Sequence, residues 1–345
     1  MPIVDSHWGK NKYNIQKSPA KNERFISKKR TRHLPFSSRK VVLENKIMPV
    51  EPTKILEPVD ALPYELDYMT DDLRKRAKSE LFEDEDTRVH SLKLLRTMLK
   101  EEKGLCWQDD DLFLLSFLRA RKFDVKRAFS VMKNFYSVMG KHHELYSNFN
   151  YADVKRTLEE GSVGFLPYRD EEGCVVLIIS TRTWNPYDNS LADIMRALTS
   201  GLVNAIRSPS TQVAGFKVIV DFSGFTLRHL PHVSPSYLWL FAEALQNCFP
   251  GRFRAVHIVN EGHLFTYIWA VLKQLLTKKL KDRFHFHGKN VKKLHKYFSP
   301  SILPAEYEGE LPAFNNSEWA KHVESTAEEI TKTFSYGYEK HRKIR

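Results

Sequence analysis

Apolar residues recur at helical spacing in the first patterned part of the chain, residues 71–151. Acidic residues at Asp109–Asp111 and at Asp124 precede two of these apolar runs, where they are suited to cap helices. One apolar face consists of Leu92, Leu95, Met98 and Leu99. No run in this part is a convincing strand. The pattern therefore predicts a small helical bundle over residues 63–150.

After Gly161 the pattern changes to short apolar runs that alternate with longer amphipathic segments. The predicted strands are Val175–Ser180, Phe216–Asp221 and Arg254–Val259, and the predicted helices are Leu191–Ile206, Pro235–Cys248 and Glu261 to about Lys278. Such alternation requires crossover connections, so we predict an α/β domain with a mostly parallel sheet over residues 151–312. A polar, weakly amphipathic helix at Glu318–Tyr336, within a C-terminal segment 313–345, is expected to pack on the surface.

The positive charge of the chain is concentrated near its beginning. The 345 residues carry a formal charge of +12, and residues 1–47 contain twelve Lys and Arg against three Asp and Glu. We predict a disordered basic arm and Pro-rich linker over residues 1–62. The run Lys28–Arg32 suits a nuclear signal, a nucleic-acid patch, a membrane tether or a plain solvated tail. We favour the solvated tail and do not expect nucleic acid as a partner.

Motifs of common enzyme classes are missing from the sequence. It contains no GxGxxG after a strand, no GxxxxGK[ST], no GxSxG and no HExxH. The motif Asp221-Phe-Ser-Gly224 is interpreted as an acidic residue that closes a strand into a turn. His285 and His287 form one possible ligand pair without a third partner, so hydrogen-bonded structural histidines are favoured. We therefore predict neither an enzyme nor a metal site.

A broad apolar arc dominates the segment from Glu261 to Phe284. It comprises Leu264, Phe265, Ile268, Trp269, Leu272, Leu275, Leu276 and Leu280. The arc is wider than packing on one sheet face requires, which indicates a helix with two apolar partners. Cations cluster at the end of this segment and before the preceding strand, namely Arg252, Arg254, Lys278, Lys279, Lys281 and Arg283. They form either an anion-binding patch or surface charge that complements the helix dipole.

Several segments resemble those of one known family. Asp111–Asp124, with the sequence DLFLLSFLRARKFD, resembles the opening helical motif of the CRAL-TRIO family of lipid-binding proteins. Further matches, in the order that the family has them, are Ile219–Gly224, Cys248–Asn260 and Leu303–Tyr307. The similarity covers residues 71–312. Within the family, Leu276–Gly288 is most similar to the tocopherol-transfer members and next to the retinaldehyde-binding members.

The resemblance implies a helical N-terminal domain and a CRAL-TRIO α/β domain that holds a small hydrophobic lipid, of the tocopherol or retinoid kind, in a closed cavity. The helix after Asn260 would be a mobile lid. Phosphoinositide head groups would be bound by Arg121, Arg252, Arg254, Lys279 and Arg283. The implied protein is a cytoplasmic monomer without a cofactor that reversibly visits endosomal or plasma membrane surfaces and releases its ligand there. The alternative is a phosphoinositide-responsive adaptor with a vestigial cavity.

Inward-facing apolar positions of the predicted strands and helices give an expected cavity lining. The set is Met195, Leu198, Leu202, Val220, Phe222, Phe225, Leu238, Phe241, Leu245, Val256, Ile258, Phe265, Ile268, Trp269 and Leu272. Gly262 stands where the family usually has Pro, and Glu308 where it commonly has Gly. Leu198 and Leu202 occupy positions where the tocopherol carriers have small hydroxyl residues, which argues against tocopherol itself as the ligand.

Overall fold

The computed structural model describes residues 62–147 and 149–339. The predicted basic arm and linker lie outside these ranges, apart from residue 62. Within the described ranges, no helix combines the length and the apolar character that crossing a bilayer demands. The predicted domain boundaries at residues 150 and 312 stay predictions.

Six helices form the first part of the described chain. They are α1 Asp71–Leu81, α2 Glu85–Glu101, α3 Asp111–Ala120, α4 Val125–Lys141, α5 His143–Tyr146 and α6 Tyr151–Glu159. Asp110 and Asp124 cap α3 and α4, where their carboxylates accept the backbone N–H groups of Phe113 and Arg127 at 2.7 and 3.1 Å. The predicted helical bundle and its acidic caps are therefore confirmed.

One strand interrupts this helical part, so the prediction that it contains none is wrong. The strand β1, Leu105–Cys106, pairs antiparallel with Gly337–Tyr338 near the C-terminus. Two residues show no periodic pattern, and the pairing depends on a partner more than two hundred positions away. Cys106 is half-buried, whereas Cys174 and Cys248 are buried, and all three are free thiols.

A five-stranded sheet forms the second part, and its order follows the chain. The strands are β2 Val163–Phe165, β3 Val175–Ser180, β4 Phe216–Asp221, β5 Phe253–Val259 and β6 Phe284–Phe286. β2 runs antiparallel to β3, and the other neighbours are parallel. Between them lie α7 Leu191–Ala205, α8 Pro209–Ala214, α9 Pro235–Glu243, α10 Phe265–Leu275 and α11 Lys278–Lys281. The predicted mostly parallel α/β architecture is confirmed.

Two of the predicted helices end differently in the structure. The helix expected from Glu261 to about Lys278 begins only at Phe265, because the chain first turns through Asn260, which has a φ of 56°. It ends at Leu275, since Leu276 is extended, and α11 is a separate turn. The helix expected at Pro235–Cys248 changes after Glu243 into a π-helical turn over Ala244–Cys248.

The two faces of the sheet pack against different layers. Because strand side chains alternate, Ile179, Val220 and Ile258 point toward α7, α9 and α10. Val176, Ile178 and Ile219 point the other way, into a separate apolar cluster. That cluster is completed by residues from the 3₁₀ turns Val291–Lys296, Pro300–Ile302 and Ala305–Tyr307. The sheet is thus covered on both faces, as the β-branched run of β3 predicts.

The C-terminal segment forms two helices, so the prediction of one polar surface helix at Glu318–Tyr336 is wrong. They are α12 Ser317–Ser325 and α13 Ala327–Ser335, followed by the strand β7, Gly337–Tyr338. Trp319 is only 3% exposed, and its ring lies edge-on to Phe165 with centroids 5.0 Å apart. A Cβ atom at Gly201 would come within 2.3 Å of the Trp319 ring. These helices therefore belong to the main core.

Candidate apolar cavity and basic pocket

An apolar cavity of about 140 Å³ lies between the sheet and the helices α7, α9 and α10. Strands β3, β4 and β5 supply its floor through Ile179, Val220 and Ile258, and the helices supply its walls. This volume would hold on the order of ten water molecules. Its surface is almost entirely hydrocarbon and aromatic, so water inside it would find few hydrogen-bond partners. The cavity is therefore suited to an apolar occupant.

Twelve of the fifteen predicted lining residues surround this cavity. They are Met195, Leu198, Val220, Phe222, Phe225, Leu238, Phe241, Val256, Ile258, Phe265, Ile268 and Leu272. Leu202 and Leu245 instead line a second, smaller cavity of about 40 Å³ that extends toward α4. Trp269 lines neither cavity, because its ring packs against Phe284 and Phe286, with centroids 5.1 and 5.0 Å away.

Sequence reasoning missed several residues of the cavity wall. They are Ile179, Ser180, Thr181, Trp184, Leu191, Ile194, Val233, Tyr237 and Phe284. The alternation of side chains along β3 would have identified Ile179, since it lies in register with Val220 on the next strand. Trp184 and Val233 lie in connections between elements, where no periodicity fixes the direction of a side chain.

Three side chains form a wall shared by the two cavities. Met195, Leu198 and Phe241 contact both spaces. The wall is apolar, and each of its members has rotatable bonds in the side chain. Leu198 thus lines both cavities, whereas Leu202 on the same helix lines only the smaller one.

Helix α10 covers the main cavity and carries apolar residues on both of its sides. Phe265, Ile268 and Leu272 are buried and line the cavity. On the opposite side, Tyr267 is 64% exposed and Val271 is 38% exposed. The sequence predicts a second apolar partner for this helix, and Trp269 contacts one at the aromatic end of β6. The outer side of the helix faces solvent. The inner side covers the cavity, and we refer to α10 as the lid helix.

All five residues predicted to bind an anionic head group lie around one basic pocket of about 270 Å³. The structure places Arg121, Arg252, Arg254, Lys279 and Arg283 together there, with Lys122 as a sixth cation that sequence reasoning missed. Arg121 follows α3, Arg252 and Arg254 flank the start of β5, Lys279 lies on α11, and Arg283 precedes β6. The fold thus joins cations that lie up to 162 positions apart in the chain.

Backbone carbonyl groups hold the guanidinium groups of this pocket in place. Arg254 Nε donates to the Ala214 carbonyl at 3.0 Å, and Arg252 and Arg283 donate to the carbonyls of Val213 and Phe253. Burial lowers the pKa values of Arg121, Arg252 and Arg283, and neighbouring arginines lower them further. Guanidinium groups remain charged despite such shifts, so the pocket concentrates fixed positive charge.

One carboxylate counters two of these cations. Glu80 Oε2 on α1 accepts from Arg252 and Arg254 at 2.8 and 2.9 Å, and Glu80 Oε1 lies 3.2 Å from Arg76 Nε. Partial burial opposes ionisation of Glu80, but hydrogen bonds from Arg252 and Arg254 outweigh it and hold its pKa at about 2. Glu80 is therefore ionised at neutral pH and reduces the local charge by one.

The two histidines noted in the sequence lie on the other face of the sheet with a third. His257 Nδ1 is 3.0 Å from His287 Nε2, and the ring of His257 stacks on that of His285 with centroids 4.9 Å apart. Burial, followed by the neighbouring histidines and Lys217, lowers the pKa of His257 to about 2. In the described ranges no group of three or more ligand-type side chains is arranged to hold a metal ion.

Backbone geometry accounts for other expectations from the sequence. Asp221 Oδ1 accepts the Ser223 N–H at 2.8 Å, which is the strand-to-turn closure predicted for this motif. Glu308 has a φ of 55°, in the left-handed region that favours glycine, and this explains why the family commonly has Gly there. Gly262 has open space around the position of an added Cβ.

A mostly parallel sheet, an apolar cavity and a covering amphipathic helix define a protein of the lipid-binding α/β class. The CRAL/TRIO domain model matches residues 159–309, and the CRAL/TRIO N-terminal domain model matches residues 70–134. The chain belongs to the CRAL-TRIO family, whose members bind small lipophilic ligands and act as lipid-transfer proteins rather than enzymes. The resemblance found in the sequence is thereby confirmed.

Curated relatives match over most of the chain. Alpha-tocopherol transfer protein-like of Mus musculus is 35% identical over 267 residues, which cover 77% of this chain and 78% of that protein. Clavesin-1 of Rattus norvegicus is 33% identical over 73% of this chain and 72% of its own length. Clavesin-2 of Homo sapiens is 33% identical over 72% of this chain and 76% of its own length.

Proposed function

We propose that the protein carries a small hydrophobic lipid, of the tocopherol or retinoid kind, and releases it at phosphoinositide-containing membranes. The observation that supports this most directly is the apolar cavity closed by α10, together with the basic pocket near the end of the same helix. The carrier acts as a monomer without a cofactor and associates reversibly with endosomal or plasma membrane surfaces from the cytoplasmic side.

The cavity explains how such a ligand is retained. Burying about a dozen carbons at about 0.8 kcal/mol per methylene stabilises the complex by roughly 10 kcal/mol relative to the ligand in water. The closed main cavity of about 140 Å³ is small for such a molecule, and the smaller cavity lies just beyond Met195, Leu198 and Phe241. Rotation of these side chains would join the two spaces, so the ligand itself completes the binding site.

The outer side of the lid helix explains how release occurs at a membrane. Tyr267 and Val271 on α10, with Trp239 on α9, expose apolar and aromatic surface. Amphipathic helices of this kind lie at the boundary of head groups and acyl chains. Each basic residue beside an anionic leaflet contributes about 1 kcal/mol, so the basic pocket supports reversible docking rather than permanent anchoring. An open lid that contacts the membrane would then be favoured over the closed one.

Mass spectrometry of co-purified lipid tests the proposal. An organic extract of protein purified from animal cells should contain one lipophilic molecule per chain. In the variant Leu198→Trp, the indole would occupy the cavity space beside the shared wall. This variant should retain the fold and lose the bound lipid. An empty wild-type protein that also fails to bind tocopherol and retinoid analogues would contradict the carrier function.

A second candidate function is a phosphoinositide-responsive adaptor with a vestigial cavity. The small volume of the closed cavity favours this alternative. An adaptor would keep its cellular role when Leu198→Trp fills the cavity, because only the basic pocket would be needed. Loss of that role in Leu198→Trp, with vesicle binding intact, would leave the carrier as the better account.

A further inference from the structure

Gln246 links the basic pocket to the end of the lid helix. It lies in the π-helical turn after α9, is half-buried, and lines the basic pocket. Its side-chain Nε2 donates to the Leu275 carbonyl at 3.1 Å, and its Oε1 accepts the Thr277 N–H at 2.8 Å. These two partners flank Leu276, the residue at which the lid helix stops. One amide therefore bridges the break between α10 and α11.

The contacts of Gln246 satisfy backbone groups that the lid helix leaves without helical partners. The last carbonyl groups of an α-helix have no N–H ahead of them, and the chain beyond Leu276 is extended. An amide side chain can both donate and accept, so Gln246 serves the Leu275 carbonyl and the Thr277 N–H at once. The π-helical turn carries the residue that makes both bonds, in keeping with the frequent occurrence of such turns at functional sites.

The same residue is tied to the cations of the pocket. Arg121 Nη2 donates to the Gln246 backbone carbonyl at 2.7 Å. Thr277 and Lys279, which follow the lid helix directly, line the pocket together with Arg121 and Gln246. Lys279 is exposed, with its ammonium group available to an incoming anion. An anion in the pocket would therefore contact groups on both sides of the Gln246 bridge.

We propose that Gln246 is the positioning residue through which a multiply phosphorylated lipid head group opens the lid. A head group that draws Arg121 and Lys279 toward its phosphates shifts the π-helical turn and α11 relative to each other. The two bonds that join the Gln246 side chain to Leu275 and Thr277 then break, and the end of α10 is released. This inference rests on the proposed function, because it assigns the coupling between the head-group pocket and the lid of a carrier.

Hydrogen exchange of the lid amides, with inositol 1,4,5-trisphosphate as a soluble head-group probe, tests the coupling without knowledge of the lipid. In the wild type the probe should raise exchange across residues 265–277. Gln246→Ala should show about tenfold faster exchange there without the probe, because the two hydrogen bonds to Leu275 and Thr277 are lost. The probe should then add less than twofold. Gln246→Met, which keeps the bulk of the side chain, should behave in the same way.

Gln274→Ala is the matched control. Gln274 lies on α10, is exposed, and donates to the Ala270 carbonyl at 2.9 Å within the helix. Its removal deletes an amide of the same size without affecting the bridge, so exchange should respond to the probe as in the wild type. Calorimetry adds a reciprocal test: Gln246→Ala should bind the probe severalfold more tightly, because binding no longer breaks the bridge.

The outcomes separate this inference from the function on which it rests. If the wild type binds the probe but Gln246→Ala keeps wild-type exchange and the wild-type response, the coupling role is wrong and the carrier proposal stands. Weaker probe binding by Gln246→Ala would equally overturn the coupling role, because it would assign Gln246 to the anion site itself. If the wild type does not bind the probe at all, the phosphoinositide step of the proposed function fails as well.

Discussion

His257 is a fully buried titratable residue on the far face of the sheet, and its chemistry affects stability directly. It is 0% exposed and lies among His285, His287, Tyr297 and Phe298. The positive charge of Lys217 also disfavours its protonation. The imidazole is therefore neutral in the folded protein over the whole range in which histidine ordinarily titrates.

This burial predicts a loss of stability in mild acid. In the unfolded chain His257 titrates near 6.5, whereas folding lowers its pKa to about 2. Below pH 6.5 the unfolded state binds a proton that the folded state does not, so the free energy of unfolding falls as the pH falls. At about 1.4 kcal/mol per pH unit, His257 alone accounts for a loss of about 2 kcal/mol at pH 5.

Urea unfolding at pH 7 and pH 5 measures this effect. Between pH 7 and pH 5, the free energy of unfolding of His257→Gln should fall by about 2 kcal/mol less than that of the wild type. His90→Gln, at an exposed position on α2, should show the wild-type dependence. An unchanged pH dependence in His257→Gln would show that this imidazole is not the group responsible.

At the scale of elements, α12 shows how a helix of polar appearance becomes part of the core. Its apolar residues Trp319, Ala320 and Val323 are buried, while the exposed charged residues Glu318, Lys321 and Glu324 give the segment its polar average. Gly201 on α7 provides the space that the indole of Trp319 occupies. This space arises at a residue of another helix, more than a hundred positions away in the chain, so the periodicity around Trp319 cannot reveal it.

The packing of α12 predicts a large cost for losing its indole. Trp319→Ala should lower the free energy of unfolding by about 3–5 kcal/mol, because it removes a buried aromatic ring and leaves a cavity. Glu318→Ala, at the exposed neighbouring position, should change it by less than about 0.5 kcal/mol. Urea unfolding of the two variants at pH 7 gives the comparison. A loss of under 1 kcal/mol in Trp319→Ala would indicate that α12 is peripheral.

Elements with a continuous pattern could be predicted closely from the sequence, and those without one could not. The predicted bounds of β3 and β4 agree with the structure, and β5 begins one residue earlier than predicted. Their apolar runs are complete in themselves, so local sequence is sufficient. The lid helix was predicted too long, since its ends depend on the turn at Asn260 and on the bridge from Gln246.

For the whole molecule, the sites differ in how far sequence could predict them. The five predicted cations do surround one pocket, although only family resemblance connected Arg121 with the others. Most residues of the cavity lining could be predicted from the alternation of side chains in strands and the 3.6-residue period of helices. Trp269 was the exception, because the aromatic end of β6 draws its ring away from the cavity. The volumes of the apolar cavity and the basic pocket could not be predicted from the sequence, since each volume depends on how the helices pack against the sheet.

The apolar cavity and the basic pocket lie at different places in the fold, so lipid binding and vesicle binding should be separable by substitution. Arg252→Gln with Arg254→Gln should weaken binding to vesicles containing phosphatidylinositol bisphosphate about thirtyfold, from two lost contributions of about 1 kcal/mol each. Gln is preferred to Glu because a new carboxylate would lie beside Glu80. Lipid content should stay at the wild-type level. Leu198→Trp should show the reverse pattern, with lipid lost and vesicle binding retained.

Vesicle co-sedimentation and lipid extraction from the same samples measure both quantities. Arg207→Gln with Lys321→Gln removes two exposed cations that have carboxylate partners elsewhere on the surface, and it controls for net charge. This control should bind vesicles within about threefold of the wild type, because the charge lies outside the basic pocket. Equal weakening in both double variants would indicate that overall charge, rather than the pocket, governs docking.

Strand β5 has unlike chemistry on its two sides, with Val256 and Ile258 toward the cavity and His257 toward the imidazole stack. Sliding the strand by a single position would exchange the two sides, placing a polar ring in the hydrocarbon chamber and aliphatic groups among the imidazoles. Strand β4 pairs with it in parallel along most of its length, and β6 pairs with it in parallel at Val256, His257 and Ile258. The floor of the chamber is therefore rigid, and any gain in room for a guest has to come from the helices above it.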